Sequence, residues 1–502
     1  MESYTKLMER VKEITLIGTA TGFLNWDMLT YMPPRGAQLR GEQLGAMTRI
    51  IQRMQTSPEY ADLLLRSEKE VDDSNALESR NLKILRKNYE VARSLPEDLV
   101  AEIAKQRAIS NQAWGKARSE SKWKIFEPEL EKTFELSKKA AELTMDAKGA
   151  STLYDSLLDD FEPGMNSEQV ASAFSELRKG LVPLVRDLTE KCSKLERSKI
   201  SKSIPKEIQK KVVLDVADTI GFDTTSATSG ARIDEAAHPF TMGYFDDLRI
   251  TTRYIEDNPL VAVAALMHEA GHGIYEQSFN PDWMFQPIGT MASLGIHESI
   301  SRFYENMVGR SKEFWTYYLP RFNDLTDGAF RDISIDELMP LINNVGPSKI
   351  RVEADEVTYS LHVIIRFEIE QALFNGEIEI KELPLIWNEK YSEYLGVNIE
   401  TDAEGVLQDS HWSAGMFGYF PTYALGNLYN GMWYHKMSQD RPSWKQDLQE
   451  GIIDTAYSWL KENVMYKANL YDPSDLVYDV TGQKLTGKPF LNYLEDKYSA
   501  IF

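Results

Sequence analysis

The sequence predicts a mainly α-helical, cleft-bearing protein with one small antiparallel β-sheet. Segments 96–117 and 126–148 are rich in Leu, Ala, Glu and Lys, and their apolar residues recur at the three- and four-residue spacing of a helix. Within segment 227–254 the pattern changes to an extended run of β-branched residues at 248–252. A chain of 502 residues is long enough for a deep core and a cleft.

These changes of pattern divide one predicted domain, residues 1–502, into three parts. Residues 1–226 form an N-terminal helical part, residues 227–420 form the zinc and substrate region, and residues 421–502 form a C-terminal helical part. No sequence repeat with a period of about 20–50 residues occurs, which argues against a solenoid.

The composition excludes several classes of function. The chain is 42% hydrophobic and 26% charged without an apolar stretch long enough for a bilayer, so we expect no membrane association. The net charge of -21 repels phosphate backbones and argues against nucleic-acid binding. The first residues lack the apolar core of a secretory signal, and the single cysteine, Cys192, cannot form an internal disulfide. We therefore expect a cytoplasmic protein.

The most informative segment is 268–272, His-Glu-Ala-Gly-His, which matches the zinc-peptidase pattern H-E-x-x-H. A helix is expected there, because Asn258 is a suitable N-cap and Pro259 suits the first helical position. Residues 261–277 then continue without proline.

On a helix, side chains four residues apart share a face, so His268 and His272 can bind one zinc ion. Glu269 would then reach the water beside the ion rather than the ion itself, which makes it the candidate catalytic base. The alternative is a helix whose histidines only satisfy buried hydrogen bonds.

A catalytic zinc usually takes three protein ligands, and Glu298 is the predicted third. It lies 26 residues after His272, on a second predicted helix at about 293–308. Glu305 on the same helix is the second choice, and the alternative role for Glu298 is an ion pair with Arg302. His297 could also bind metal, but adjacent helical residues point about 100° apart, so only one of the two should face the ion.

The sequence resembles the Taq-type thermostable metallocarboxypeptidases over nearly its whole length. Five motifs of that family appear in order around the zinc motif: His238-Pro239-Phe240, Asp247-Leu248-Arg249-Ile250-Thr251, His297-Glu298-Ser299, Ile350-Arg351-Val352-Glu353-Ala354-Asp355 and Gly405-Val406-Leu407-Gln408-Asp409-Ser410-His411-Trp412. One departure is Ile300, where the family usually has Gln after His-Glu-Ser. On a helix Ile300 points away from Glu298, so the change is expected to alter packing or a subsite rather than the metal site.

The resemblance implies a helical, cleft-bearing fold similar to neurolysin and angiotensin-converting enzyme, commonly a homodimer. It also implies zinc, with cobalt as the alternative ion, and the release of single C-terminal amino acids from peptides with broad specificity. In such a reaction Glu269 takes a proton from water and passes it to the leaving amine, while a nearby donor holds the developing oxyanion. The candidate donors, each of which could instead be a core or interface residue, are Tyr419, Tyr423, His411 and His238.

A carboxypeptidase needs a fixed cation for the free C-terminal carboxylate, and arginine suits it best. The residues alone favour an ion pair between Arg351 and Asp355 along a helix. The resemblance favours Arg351 as the substrate-binding cation. Arg249, in the predicted strand, is the alternative, and that strand could receive the substrate backbone with His238 at its entrance.

Two other functions fit parts of the sequence. A metal-dependent oligo-endopeptidase would use the same zinc residues without a carboxylate clamp, and activity on C-terminally amidated peptides would identify it. A non-catalytic, metal-retaining peptide-binding protein would not need Glu269, which is present. The Gly-x-Met-Glu-Asn signature of related aminopeptidases is absent from the sequence.

Overall fold

The computed structural model describes residues 1–72 and 74–502, and helices dominate it. The helices are α1 Glu2–Thr30, α2 Ala37–Gln55, α3 Pro58–Glu70, α4 Ala76–Ser94, α5 Glu97–Glu120, α6 Trp123–Lys148, α7 Leu153–Leu158, α8 Ser167–Cys192, α9 Lys206–Thr219, α10 Leu260–Gln277, α11 Leu294–Arg302, α12 Lys312–Leu325, α13 Ile335–Ile342, α14 Tyr359–Phe374, α15 Leu383–Leu395, α16 Pro421–Asp440, α17 Trp444–Gln449, α18 Asp454–Asn463, α19 Pro473–Thr481 and α20 Lys488–Ile501. The predicted mainly helical class is confirmed. No helix within 1–72 or 74–502 is long and apolar enough to cross a membrane.

The predicted small sheet is present, but its strand directions are mixed. Strands β1 Ala231–Glu235, β2 Thr241–Tyr244 and β3 Asp247–Thr252 lie in the order β1-β3-β2. The β2–β3 pair is antiparallel, as predicted, whereas β1 and β3 are parallel. Strand β1 pairs with the edge of β3 that β2 leaves free, and it runs in the same direction as β3. Residue alternation along a strand does not reveal this.

Helix α10 forms where the zinc motif predicts a helix, with one difference at its start. Pro259, rather than Asn258, occupies the N-cap position, and the Asn258 carbonyl accepts a hydrogen bond from the amide of Val261. The helix ends at Gln277, shortly before Pro281. It packs between the sheet on one side and α11 on the other.

The predicted helix at 293–308 forms in two parts. Ser293 caps α11 by accepting a hydrogen bond from Ile296, and α11 ends at Arg302. The chain then widens into a π-helical turn at Phe303–Val308, in which the amide of Gly309 donates to the carbonyl of Tyr304. A π-helical turn shifts the following side chains around the helix axis relative to a regular helix.

Within residues 1–72 and 74–502, two hydrophobic cores of unequal size hold the chain together. The main core extends from Ala117 to Tyr498 and includes buried residues of α10, α11, α14 and α16. The small N-terminal core joins α1, α3 and α4 and consists of Leu7, Val11, Tyr60, Leu64, Leu82 and Leu85. A cavity of about 1010 Å³ between these helices and the main body is lined by residues that include Val11, Lys83 and Asp159.

Candidate metal centre

Three side chains with metal-ligating atoms converge between α10 and α11. His268 and His272 come from α10 and Glu298 from α11, and one ligand atom of each lies within 4.8 Å of the others. The Nε2 atoms of His268 and His272 are 3.7 and 3.5 Å from Oε2 of Glu298. Ligands about 2.0–2.1 Å from a tetrahedral zinc ion are separated by roughly 3.3–3.5 Å. This ligand triad therefore has suitable donors and nearly suitable spacing for such an ion.

Two glycines allow three helices to meet at the triad. A Cβ atom on Gly271 would lie 2.6 Å from the Cα of Ser301 in α11, and a Cβ on Gly426 in α16 would lie 2.7 Å from the Cγ of Glu298. Non-bonded carbon atoms prefer about 3.5–4.0 Å. The backbones of α10 and α16 thus pack directly against α11 and fix Glu298 from both sides.

The two alternative ligands lie beside the triad. Oε2 of Glu305 is 2.9 Å from Nδ1 of His268, on the side of the ring away from Nε2. Nε2 of His297 is 3.1 Å from Oε1 of Glu276, and its ring stacks on His272 with centroids 4.4 Å apart. Metal-binding histidines commonly donate their second N–H to a carboxylate, which fixes the tautomer. Glu305 has this relation to His268.

Two carboxylates and one guanidinium set the charge around the triad. Arg302 donates from Nε to Glu298 at 2.8 Å and from Nη1 to Glu305 at 3.0 Å. Burial lowers the pKa of His268, but the two carboxylates outweigh burial and raise it to about 9. Burial also holds the pKa of His272 well below its usual value, so this imidazole is neutral, which is the form that binds metals.

Glu269 is buried next to the triad and is held by strand β2. The Thr241 hydroxyl lies 2.6 Å from Oε2 of Glu269 and 3.0 Å from its carbonyl oxygen, both hydrogen-bond distances. Burial raises the pKa of the Glu269 carboxyl. A raised carboxyl pKa makes the carboxylate a stronger proton acceptor.

A second buried ionic group, the Asp409 cluster, consists of Asp409, Arg351 and Arg366. Arg351 donates from Nη2 to Oδ1 of Asp409 at 2.8 Å, and Arg366 donates from Nε to Oδ2 at 2.7 Å. Burial raises the pKa of Asp409, but the two guanidinium groups lower it well below its usual range. Because two cations share one anion, the cluster can attract a further anion.

His411 and two tyrosines line the Asp409 cluster. The Tyr419 ring centroid is 5.3 Å from that of Tyr423 and 5.2 Å from that of His411. The guanidinium of Arg351 is 5.0 Å from the Tyr423 centroid. Burial lowers the pKa of His411 to about 4, so His411 is neutral at pH 7. Four of the six predicted substrate-binding residues are thus neighbours.

Tyr359, the first residue of α14, connects the triad to the Asp409 cluster. Its hydroxyl accepts a hydrogen bond from Nη1 of Arg351 at 3.1 Å. Its ring faces Arg302, whose guanidinium carbon is 4.1 Å from the ring centroid. Since Arg302 binds Glu298, direct contacts lead from a candidate metal ligand to Arg351 through one tyrosine.

Residues 6–498 match the family model described as carboxypeptidase Taq (M32) metallopeptidase. The chain belongs to this family. It is 37% identical to carboxypeptidase 1 of Bacillus subtilis over 506 residues, covering 100% of both chains. It is 35% identical to thermostable carboxypeptidase 1 of Thermus thermophilus over 509 residues, covering 100% of this chain and 99% of the relative. The crystal structure of the M32 carboxypeptidase from Deinococcus radiodurans R1 superposes with a TM-score of 0.95 at 31% identity, covering 100% and 99% of the two chains.

As an M32 family member, the protein is a metallocarboxypeptidase, a hydrolase that acts on peptides. The family also requires a metal cofactor, for which the ligand triad is the candidate site. The resemblance seen in the sequence motifs is therefore confirmed.

Among the predicted substrate residues of this carboxypeptidase, two differ in position from the others. His238 is exposed in the bend between β1 and β2. Arg249 lies against α1, where its guanidinium carbon is 4.4 Å from the ring centroid of Phe23, and it pairs with Asp247. Neither residue contacts Asp409 or Tyr359, the partners of Arg351.

The alternative pairing of Arg351 with Asp355 is wrong. Arg351 belongs to a short 3₁₀ turn, Arg351–Glu353, and binds Asp409 instead. Asp355 accepts hydrogen bonds from the amides of Val357 and Thr358 just before α14. Because α14 begins only at Tyr359, the two residues do not share a helix, and the four-residue spacing does not bring them together.

Sequence reasoning missed Thr241 and Arg366. Thr241 directly follows the motif His238-Pro239-Phe240, but its contact with Glu269 depends on how the sheet packs on α10. Arg366 gives a clearer signal, because it is a lone cation within the apolar segment 361–369 of α14, and a buried arginine requires a partner. Ile300, which stands where the family usually has glutamine, is fully buried.

Proposed function

We propose that this protein is a zinc-dependent carboxypeptidase that releases single C-terminal amino acids from peptides of varied sequence. The observation that carries the proposal is the contact chain Glu298–Arg302–Tyr359–Arg351, which joins the metal triad to an arginine suited to a free carboxylate. In this proposal, a C-terminal carboxylate bound by Arg351 directs the last peptide bond of the substrate towards the triad. Every peptide with a free C-terminus has this carboxylate, which supports broad specificity.

His268, His272 and Glu298 would hold the ion, with zinc as the first choice and cobalt as the alternative. A zinc ion supplies two effects when bound, since it lowers the pKa of water to about 7 and polarises the scissile carbonyl. The neutral imidazole of His272 and the carboxylate of Glu298 suit a borderline-soft divalent cation. Glu305 orients His268 through Nδ1 and leaves Nε2 free for the ion.

Glu269 acts as the general base. Its buried carboxylate accepts a proton from the attacking water and then delivers it to the leaving amine. Thr241 orients the carboxylate through a hydrogen bond to Oε2, so that Oε1 remains available for water. Burial raises the pKa of the Glu269 carboxyl, which favours uptake of a proton from water.

Arg351 binds the C-terminal carboxylate of the substrate. Asp409 and Arg366 hold Arg351 in place. The Asp409 cluster has two cations and one anion, and this net positive charge favours a further anion beside Arg351. Tyr419, Tyr423 and the neutral His411 are the candidates for a donor to the developing oxyanion. His238 and Arg249 remain predictions for contact with the substrate backbone.

Three further assignments belong to the same proposal. The chain acts as one peptidase domain over residues 1–502, as a homodimer, and in the cytoplasm. Neither nucleic acid nor membrane is a partner, since the net charge of -21 opposes binding to phosphate-rich surfaces.

The test compares amino-acid release by the native protein and by Glu269→Gln, together with bound metal. We expect Glu269→Gln to retain zinc and to lose roughly 10²–10⁴-fold in rate, the usual contribution of a general base. Unchanged release would remove Glu269 as the base. A peptide offered with a free and with an amidated C-terminus forms the second arm, and equal cleavage of both would identify an endopeptidase instead.

A further inference from the structure

The first turn of α11 is tied to the segment that follows α7. A helix leaves its first amides without partners inside the helix. Here the amide of Leu294 donates to the carbonyl of Phe161 at 3.1 Å, and the amide of Gly295 donates to Oε2 of Glu162 at 3.1 Å. The side chain of Ser293 supplies the third acceptor, for Ile296. All three amides therefore have acceptors, two of them from residues 161 and 162.

Glu162 also ties α11 to α16. Its Oε1 accepts hydrogen bonds from the hydroxyl of Ser293 at 2.9 Å and from the hydroxyl of Tyr429 at 2.6 Å. Tyr429 lies three residues after Gly426, the residue of α16 that contacts Glu298. The Glu162 side chain is 0% exposed, so water does not replace these bonds. One buried carboxylate thus joins the start of α11 to the helix that confines its metal ligand.

We propose that Glu162 is a positioning residue of the metal centre, which sets the place of α11 and thereby of Glu298. This inference rests on the proposed metal triad. Glu298 lies four residues after Leu294, the first residue of α11, so a shift of the first turn moves the ligand with it. Metal ligands tolerate displacements of only about 0.2 Å. None of the family motifs in the sequence contains Glu162, and it touches neither the triad nor the Asp409 cluster in the contacts given above.

Replacing Glu162 by methionine removes every acceptor that it supplies. The amide of Gly295, and the hydroxyls of Ser293 and Tyr429, all donate to Glu162. A glutamine could still serve all three, because its oxygen can accept from Gly295 while the two hydroxyls turn and accept from its NH₂ group. Methionine has nearly the same volume but no oxygen, so Glu162→Met should release the first turn of α11.

Glu370 provides a matched control. It is also fully buried, with a pKa that burial raises to about 7, as it does for Glu162. It also accepts three hydrogen bonds, from Tyr154, Trp412 and the amide of Gly418. None of these partners belongs to α10 or α11. Glu370→Met therefore removes the same acceptors without disturbing the helix that carries Glu298.

The experiment measures zinc affinity by competition with a chromophoric chelator, well below the melting temperature of each variant. We expect Glu162→Met to bind zinc about tenfold more weakly than the native protein, the lower end of the loss caused by removing a group bonded directly to a metal ligand, because Glu162 acts through the helix. Glu370→Met should bind zinc like the native protein. Native affinity in Glu162→Met, or an equal loss in both variants, would overturn the proposal. If Glu162→Met does not fold, Tyr429→Phe removes one of the donors to Glu162, and it must weaken zinc binding measurably for the proposal to stand. Failure of the native protein to bind zinc would instead refute the proposed function.

Discussion

Replacing Gly271 by alanine should separate the two helices that carry the candidate metal ligands. The new Cβ would lie 2.6 Å from the Cα of Ser301, whereas carbon atoms in contact prefer about 3.5–4.0 Å. Because the obstacle is backbone, α10 and α11 must part by about 1 Å. That displacement is several times the roughly 0.2 Å that metal ligands tolerate. We expect zinc affinity to fall at least about tenfold, together with a loss of roughly 1–3 kcal/mol in stability.

Gly273→Ala is the control for this prediction. Its Cβ would also meet an atom at 2.6 Å, but that atom is Cε2 of Phe222, a side chain that does not belong to α11. Both variants add one methyl group to the same helix, so they share any change in helix propensity. Zinc competition and urea unfolding should show that both lose stability and that only Gly271→Ala loses affinity. Native zinc affinity in Gly271→Ala would refute the argument that this glycine sets the ligand spacing.

Three further predictions concern the site. Thr241→Val removes the hydrogen bond to Glu269, which we expect to lower kcat/KM about tenfold with zinc affinity unchanged, whereas a native rate would show that the contact is dispensable. Arg351→Gln should raise KM about 10–100-fold for a peptide with a free C-terminus and leave an amidated peptide unaffected; an equal effect on both would argue against carboxylate binding. Burial lowers the pKa of His411 from 6.5 to about 4, so the unfolded chain takes up a proton that the folded protein refuses as the pH falls through this window. His411 therefore accounts for roughly 3 kcal/mol of the stability lost between pH 7 and pH 4, and urea unfolding should show a loss smaller by about that amount in His411→Asn, whereas an equal loss in both proteins would contradict the argument.

The helical class and the pairing of His268 with His272 could be predicted because both depend on local periodicity. Helix α10 carries two histidines one turn apart, and that spacing brings them together on any helix. The position of α11 relative to α10 could not be calculated from the sequence. However, Gly271 within the zinc motif is the local sign that another backbone approaches there.

Contacts between distant segments were harder to predict. The π-helical turn at Phe303–Val308 shifts Glu305 relative to Glu298. No residue type in that turn predicts a departure from the regular helix. The prediction that Arg351 pairs with Asp355 was wrong because the sequence does not show that α14 begins only at Tyr359. Asp409 is 58 positions later in the chain, and only the folded structure shows that it replaces the local partner.

The small N-terminal core has a consequence for how the molecule moves. Its six buried side chains do not belong to the main core, and the cavity of about 1010 Å³ reduces the apolar contact between α4 and the body. Segments with few shared contacts open as separate cooperative units. Hydrogen exchange should therefore proceed in α1 and α3 at a lower free energy than in α10 or α16. Because Arg249 in the central strand β3 stacks on Phe23 of α1, such opening would uncover the face of the sheet that carries Arg249 while the candidate metal ligands stay in place.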